Sequence, residues 1–332
     1  MVPFITVVMP VRNEARFIAD TLGQLLAQEY PPDRYEILVA DGMSDDGTQA
    51  IVQGIAGNNP QVRLLVNPKR FSSSGRNIGF RNGRGEYFLV VDGHCFIPDG
   101  QLFNTLVHCF LKSGAACLGR PQPLDPPGLS TFQVSVALAR ASRLGHGGDS
   151  LVYADFEGFA SPVSNGAAYT AGVFDSVGYV DENFDAAEDV EFNYRIEQAG
   201  LLSYSSYKLT VRYYPRESIC SLFRQMKRYG IGRRRFIGKH PNALTVNQLA
   251  PSVFTVGLVF LPLVCYSLLT GRNLMLAALA GFPYLLYATF VTIESIRVMV
   301  KEGWRYGIRL PAIFLTIHTG LGVGFITGEG RR

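Results

Sequence analysis

Asp92-Gly93-His94 follows an unbroken apolar run, so Asp92 and the two-apart His94 can both face a cleft. A carboxylate beside an imidazole suits a hard or borderline divalent ion such as Mg²⁺ or Mn²⁺, the imidazole moving the preference toward Mn²⁺. Such an ion would serve to bind a diphosphate. For an isolated D-x-H the plainer reading, a strand-to-turn aspartate with a solvated histidine, carries more weight, and context must decide. Glu188-Asp189 opens a helical stretch after an acidic loop. Acids are stabilised at a helix N-terminus, and the same field favours the ionised carboxylate that a general base requires. Ser74-Gly75-Arg76-Asn77, at a helix start, offers backbone N–H groups and a cation to an anion. Ala40 to Thr48 places Asp41 at a strand exit, with a glycine turn and Asp/Ser residues able to cap the next helix. By itself that segment is turn chemistry. Gln225, Arg228 and Tyr229 stand at i, i+3 and i+4 on one side of a helix, where an arginine can clamp phosphate and an aromatic ring can line a sugar site.

These groups need a frame. Ile5 to Met9, Tyr35 to Ala40, Val62 to Val66 and Tyr87 to Val91 are short apolar runs that read as buried strands, and Ala15 to Ala27 and Thr48 to Ala56 between them have helical period. The alternation predicts an α/β fold with a mainly parallel sheet, whose ligands bind beyond the carboxyl ends of the strands. Every one of the four exits is polar, and two carry aspartate. Residues 122 to 165, rich in Pro, Gly and Ser, read as a long loop or substrate flap. Glu188 to Ala199 reads as a helix stopped by Gly200.

The rear of the chain differs in kind. Residues 1–214 hold 16 Lys+Arg against 23 Asp+Glu; from 215 onward there are 15 basic and 4 acidic residues. Ser218 to Lys239 is a basic amphipathic stretch suited to an anionic membrane surface. Leu249 to Thr270, Leu274 to Thr292 and Leu310 to Thr327 are uncharged and each near the roughly 20 residues a spanning helix needs. The expected division is an enzymatic head over 1–214, an interfacial region over 215–245, and a membrane region with about three spans over 246–332. Basic residues before the first span and between the second and third place the head in the cytoplasm; Arg331 and Arg332 fall on the wrong side of that arrangement, and a re-entrant third segment would repair it. The basic residues are separated by apolar runs instead of stacking platforms, which argues against nucleic acid. Cys95, Cys109, Cys117, Cys220 and Cys265 form no CxxC pair, as in a reducing compartment, and Met1 to Pro10 reads as a first strand in place of a signal peptide.

In order, Pro10-Val11-Arg12-Asn13-Glu14, Ala40-Asp41-Gly42-Met43-Ser44-Asp45-Asp46-Gly47-Thr48, Gly75-Arg76-Asn77, Asp92-Gly93-His94, Glu188-Asp189 and Gln225-x-x-Arg228-Tyr229 resemble the inverting glycosyltransferase family 2. The layout, with its apolar tail, is most similar to the bacterial succinoglycan-type exopolysaccharide glucosyltransferases. The resemblance implies a GT-A fold, Rossmann-like, with a UDP-sugar donor, Mn²⁺ or Mg²⁺, and a polyprenyl-diphosphate-linked oligosaccharide acceptor at the inner membrane, alongside other polysaccharide-assembly enzymes. By position it implies Pro10 and Arg12 at the nucleoside, Glu14 at the ribose, Asp41 at the uracil, and Arg76 and Asp92 at the nucleotide-sugar. Asp92 and His94 would hold the metal and Asp189 would be the base. Glu188, Gln225, Arg228 and Tyr229 would meet acceptor or pyrophosphate. His94 replaces the family's second aspartate and Tyr229 its tryptophan, which leaves metal identity open and weakens a processive reading. Transfer to bare polyprenyl phosphate and a non-catalytic sugar-nucleotide scaffold are the competing readings.

Overall fold

The computed structural model describes residues 2–146 and 151–328. From the N-terminus β1 (Ile5–Val11), α1 (Ile18–Leu26), β2 (Tyr35–Asp41), α2 (Thr48–Ala56), β3 (Val62–Val66), α3 (Ser72–Asn82) and β4 (Tyr87–Val90) alternate. β5 (Cys95–Phe96), α4 (Leu102–Ser113) and β6 (Cys117–Gly119) follow, then α5 (Thr131–Ala141), α6 (Arg143–His146), β7 (Glu157–Phe159), β8 (Gly166–Thr170), α7 (Gly172–Val177), α8 (Glu188–Gln198), β9 (Ser203–Ser206) and β10 (Arg212–Tyr213). The rest is helical: α9 (Ile219–Lys239), α10 (Val246–Thr270), α11 (Leu274–Lys301), α12 (Trp304–Gly307) and α13 (Leu310–Thr327).

Residues 2–126 and 151–214 form one compact unit; residues 127–146 and 215–328 form another. In the first, the large sheet has the order β3-β2-β1-β4-β8-β6-β9-β7. The four strands expected from the sequence are parallel, with Val8 opposite both Leu38 and Val90. The far half is mixed: β8 is antiparallel to β4 and β6, and β9 is parallel to β6. β1 and β2 are mainly apolar on both faces because both faces are covered, and their buried Thr6 and Glu36 are hydrogen-bonded to one another at 2.8 Å. Ile5, Val7, Met9 and Val11 join the core beneath α1, α2 and α4, while Val8 turns to Phe80, Phe88 and Phe192 beneath α3 and α8. The chain moves outward from β1 to β3 and then returns to the other side of β1 with β4. That reversal opens a crevice beyond the carboxyl ends of β1 and β4, where a doubly wound sheet binds its ligands. Pro10 to Glu14 and Asp92 to His94 are the two exits there.

Two expectations are corrected. Residues 122 to 165 are not a continuous loop, since α5 forms within them, started by a reciprocal capping box between Ser130 and Gln133. Nor do all of residues 1–214 belong to the head. Gln133 Nε2 donates to the Pro215 carbonyl at 3.0 Å, and Ser135 Oγ to that of Tyr306 at 3.1 Å, so α5 packs as part of the second, helical unit. That unit has its own core, including Val136, Leu222, Val298 and Phe314. α10, α11 and α12–α13 (Trp304–Thr327) are long and apolar enough to cross a membrane. Arg331 and Arg332 lie outside the described residues.

Candidate active site

The β1 exit is held by the segment after β2. Asn13 adopts a left-handed backbone at φ 58°, which asparagine tolerates better than most residues. Its N–H donates to Ser44 Oγ at 2.8 Å, the Glu14 N–H to Thr48 Oγ1 at 2.8 Å, and the Ala15 N–H to Asp46 Oδ2 at 2.9 Å. The acidic turn thus builds one wall of the crevice. Asp41, buried, accepts from the Ser44 N–H at 2.9 Å and from Ser44 Oγ and Gln49 Nε2. Three of about four carboxylate lone-pair sites are therefore committed within the protein. Pro10 lies under the start of α3, where a Cβ on Gly75 would come within 3.0 Å of the proline Cβ; Arg12 is exposed.

The β4 exit meets this wall. Glu14 Oε1 and His94 Nδ1 are 2.8 Å apart. Only glycine fits between them, because a Cβ at Gly93 would sit 2.8 Å from Glu14 Cγ. The His94 ring is flanked by Phe17 and Tyr213, with centroids at 6.5 Å and 6.1 Å. Behind Asp92 lies Arg120, which sequence reasoning missed. It is 2% exposed, its Nη2 donates to the Val90 carbonyl at 2.8 Å and the Tyr213 hydroxyl at 3.2 Å, and its Nε and Nη1 have no hydrogen-bond partner. Burial, then the charge of Asp92, pushes up the Cys95 thiol. Tyr213 is pushed up by burial, then by Cys95 and Asp92, with Arg120 opposing. A lone arginine after a three-residue strand carries no sequence signal, so Arg120 and Tyr213 emerge only once β5, β6 and β10 are assembled.

The third group comes from α3 and α8. Arg76 Nε and Glu188 Oε1 are 3.5 Å apart, both side chains nearly buried. Burial alone would ease the proton off Arg76, but Glu188, Asp189 and Asp92 more than reverse this and hold the guanidinium charged. Asp189 is pushed above the ordinary aspartate range by burial first and then by Glu188; Arg76 and the Val190 N–H, 2.9 Å from Oδ1, pull it back, and Asp92 adds a further upward push. The carboxylates of Asp92 and Asp189 thus act on one another and on the same guanidinium. Gln225, Arg228 and Tyr229 stand on α9 of the second unit, with Gln225 Nε2 3.3 Å from the Tyr229 hydroxyl and the Arg140 guanidinium 5.8 Å from the Tyr229 ring.

Among the described residues no three His, Cys, Asp or Glu side chains converge as a ready cage for an ion. What is present fits the sparser arrangement in which one or two protein donors hold a cation that substrate phosphates complete. Donation of Nδ1–H to Glu14 selects the tautomer with its lone pair on Nε2, and a carboxylate behind the ring is the usual support of a ligating histidine.

A Rossmann-like head with carboxylates gathered at the switch point of its sheet has the architecture of the GT-A class. Residues 6–133 match the family described as Glycosyl transferase family 2. The chain is 33% identical over 247 residues to the succinoglycan biosynthesis protein ExoA of Rhizobium meliloti, covering 74% of this chain and 73% of that one. It is 25% identical over 329 residues to a dolichyl N-acetyl-alpha-D-glucosaminyl phosphate 3-beta-D-2,3-diacetamido-2,3-dideoxy-beta-D-glucuronosyltransferase of Methanococcus voltae, covering 98% and 97%. Among solved structures, the mannosyltransferase PcManGT from Pyrobaculum calidifontis, in complex with GDP-Man and Mn²⁺, superposes with a TM-score of 0.60 at 18% identity, over 95% of this chain and 86% of that one. The protein belongs to glycosyltransferase family 2 and has the GT-A fold.

Proposed function

We propose that this protein is an inverting, metal-dependent glycosyltransferase that moves a sugar, glucose in our reading, from a UDP-sugar to a lipid-linked oligosaccharide at the cytoplasmic face of the inner membrane. The observation that supports the reading is the buried Arg76–Glu188 pair, 3.5 Å apart, which sets a cation one residue from Asp189, with the field of Asp92 reaching the same groups. Pro10, Arg12, Glu14 and Asp41 belong to the rims on which the nucleoside would lie, and Asp41 has capacity for one further donor.

Asp92 and His94 are the side chains that would hold a Mn²⁺ or Mg²⁺ ion, which supplies charge neutralisation to the departing diphosphate. Asp189 accepts the proton of the acceptor hydroxyl as that oxygen bonds to the anomeric carbon. The bond from that carbon to the diphosphate oxygen breaks on the opposite face, so an α-linked donor yields a β-linked product. Burial raises the proton affinity of Asp189, which makes it a stronger base once ionised, while Arg76 opposes that rise. Glu188 fixes Arg76, and Gln225, Arg228 and Tyr229 are assigned to the acceptor or its pyrophosphate. A lipid-linked saccharide as acceptor is supported by the Methanococcus relative, whose name specifies a dolichyl N-acetylglucosaminyl phosphate and which matches nearly the whole chain.

Membranes containing the protein, given UDP-glucose, Mn²⁺ and extracted lipid-linked oligosaccharides, should extend the glycolipid, and Asp189→Asn should bind UDP but not transfer. Labelling of bare polyprenyl phosphate would replace the acceptor in this reading. Nucleotide binding without turnover in the unaltered protein would replace the enzyme with a scaffold.

A further inference from the structure

Hydropathy treats α10, α11 and α13 alike, but their surroundings do not. The apolar stretch that ends in α13 is 56% buried within protein, against 6% for α10 and 11% for α11. Its main partner is the basic helix α9. A Cβ at Gly324 would overlap the Lys227 carbonyl, one at Gly230 the Leu321 carbonyl, and one at Gly320 would lie 2.7 Å from Met226 Cβ. Farther along, the Arg234 guanidinium lies 5.7 Å from the Phe325 ring, and a Cβ at Gly328 would lie 3.2 Å from Arg234 Cβ. The residue numbers rise together, so α9 runs parallel to the C-terminal half of α13, backbone against backbone. On another side His318 Nε2 is 3.0 Å from the Leu144 carbonyl of α6.

α13 also packs on the α10–α11 hairpin. A Cβ at Gly322 would overlap Thr255 and the Pro251 carbonyl on α10, and His318 Nδ1 is 2.9 Å from the Tyr287 hydroxyl on α11. Just before α13, a Cβ at Gly307 would overlap Met299. Pro251, Thr255 and Met299 lie in the halves of α10 and α11 remote from their connecting turn at Gly271 to Asn273, and Tyr287 lies at the middle of α11. A crossing α13 would carry with it a helix bearing Arg224, Lys227, Arg228, Arg233, Arg234 and Arg235. Each such residue is strongly disfavoured at the centre of the bilayer. Even with snorkelling, six exceed what the association of two helices supplies.

We propose that only α10 and α11 cross the membrane, and that α13 returns to the side from which α10 enters, clamped there by α9, whose basic residues meet the anionic headgroups of that leaflet. This topology gathers Arg233 to Lys239 and Arg297 to Arg309 on one side and puts Arg272, in the turn between the two spans, on the other, as basic residues distribute around membrane spans.

The test is sidedness in the full chain with Cys220 and Cys265 changed to serine. Single cysteines at Arg272→Cys, at Glu302→Cys or appended after Arg332 are treated with a membrane-impermeant maleimide in sealed vesicles, before and after permeabilisation. Positions 302 and the C-terminus should label together and on the opposite side from 272. Labelling of the C-terminus together with 272, or of 272 together with 302, overturns the proposal. The readout is independent of activity, so failure here leaves the catalytic reading standing.

Discussion

Arg76 Nε lies 3.5 Å from Glu188 Oε1 and ties α3 to the first turn of α8, one residue from Asp189. Arg76 is the group that pulls the Asp189 proton affinity down against burial and Glu188. A base must be ionised, so transfer should fail as pH falls through the Asp189 pKa, which already lies above the ordinary aspartate range. Removing the opposing cation raises that pKa further. Arg76→Met should therefore shift the acid limb of the pH–rate profile to higher pH, while Asp189→Asn abolishes the limb and lowers the rate by about a hundredfold or more. A limb that stays in place in Arg76→Met would show that another group titrates.

The Glu14–His94 contact predicts a graded metal response. Glu14→Gln keeps a hydrogen-bond acceptor but removes the charge that makes the imidazole a better donor. The Mn²⁺ concentration giving half-maximal transfer should rise about 10- to 100-fold. His94→Asp replaces nitrogen with oxygen and should move the preference from Mn²⁺ toward Mg²⁺. Metal titration of the two variants checks both, and an unchanged Mn²⁺ response in Glu14→Gln would separate this carboxylate from the ion.

The parallel strands and their polar exits were legible in the sequence because a strand covered on both faces must be apolar throughout, and its end is where polarity returns. Partners joined across long stretches of chain were not. Nothing local in Asn13 tells that Ser44 accepts its N–H, or in Glu14 that His94 lies 2.8 Å away. α5 was hidden by the prolines and glycines around it, although Ser130 and Gln133 stand at capping-box spacing. The place of α13 was illegible for another reason: hydropathy reports what a segment prefers as a solvent, and protein and lipid satisfy that preference equally.

Arg120 offers a separation of stability from function. Arg120 is a buried cation whose Nε and Nη1 have no hydrogen-bond partner, so removing it relieves a desolvation cost while it breaks the bonds to Val90 and Tyr213. Arg120→Met should unfold close to the parent temperature, yet need less metal for half-maximal transfer, because a positive charge whose field overlaps that of Asp92 no longer opposes the cation. Tyr213→Phe should cost about 1 kcal/mol of stability from one lost hydrogen bond. Thermal unfolding and metal titration of the purified protein decide; a lower unfolding temperature with normal metal response in Arg120→Met would make the residue purely structural.

Gly79 sets the distance between α3 and β1, and through it the position of Arg76. A Cβ there would overlap Val8 Cγ1 and lie 2.9 Å from Cγ2, both in the close-packed core under α3 and α8. Gly79→Ala should gain up to about 1 kcal/mol in helix propensity but cost about 1–3 kcal/mol in overpacking, for a net loss. Val8→Ala alone should cost about 1.6 kcal/mol from two buried carbons. In the double variant the new methyl enters the space vacated by Val8, so the combined loss should fall short of the sum by about 1 kcal/mol or more. Unfolding of the four proteins measures that coupling. Transfer should follow it, low in Gly79→Ala and partly recovered in the double variant, as α3 settles back toward β1 and returns Arg76 to Glu188; additive losses would show that α3 is not seated through this contact.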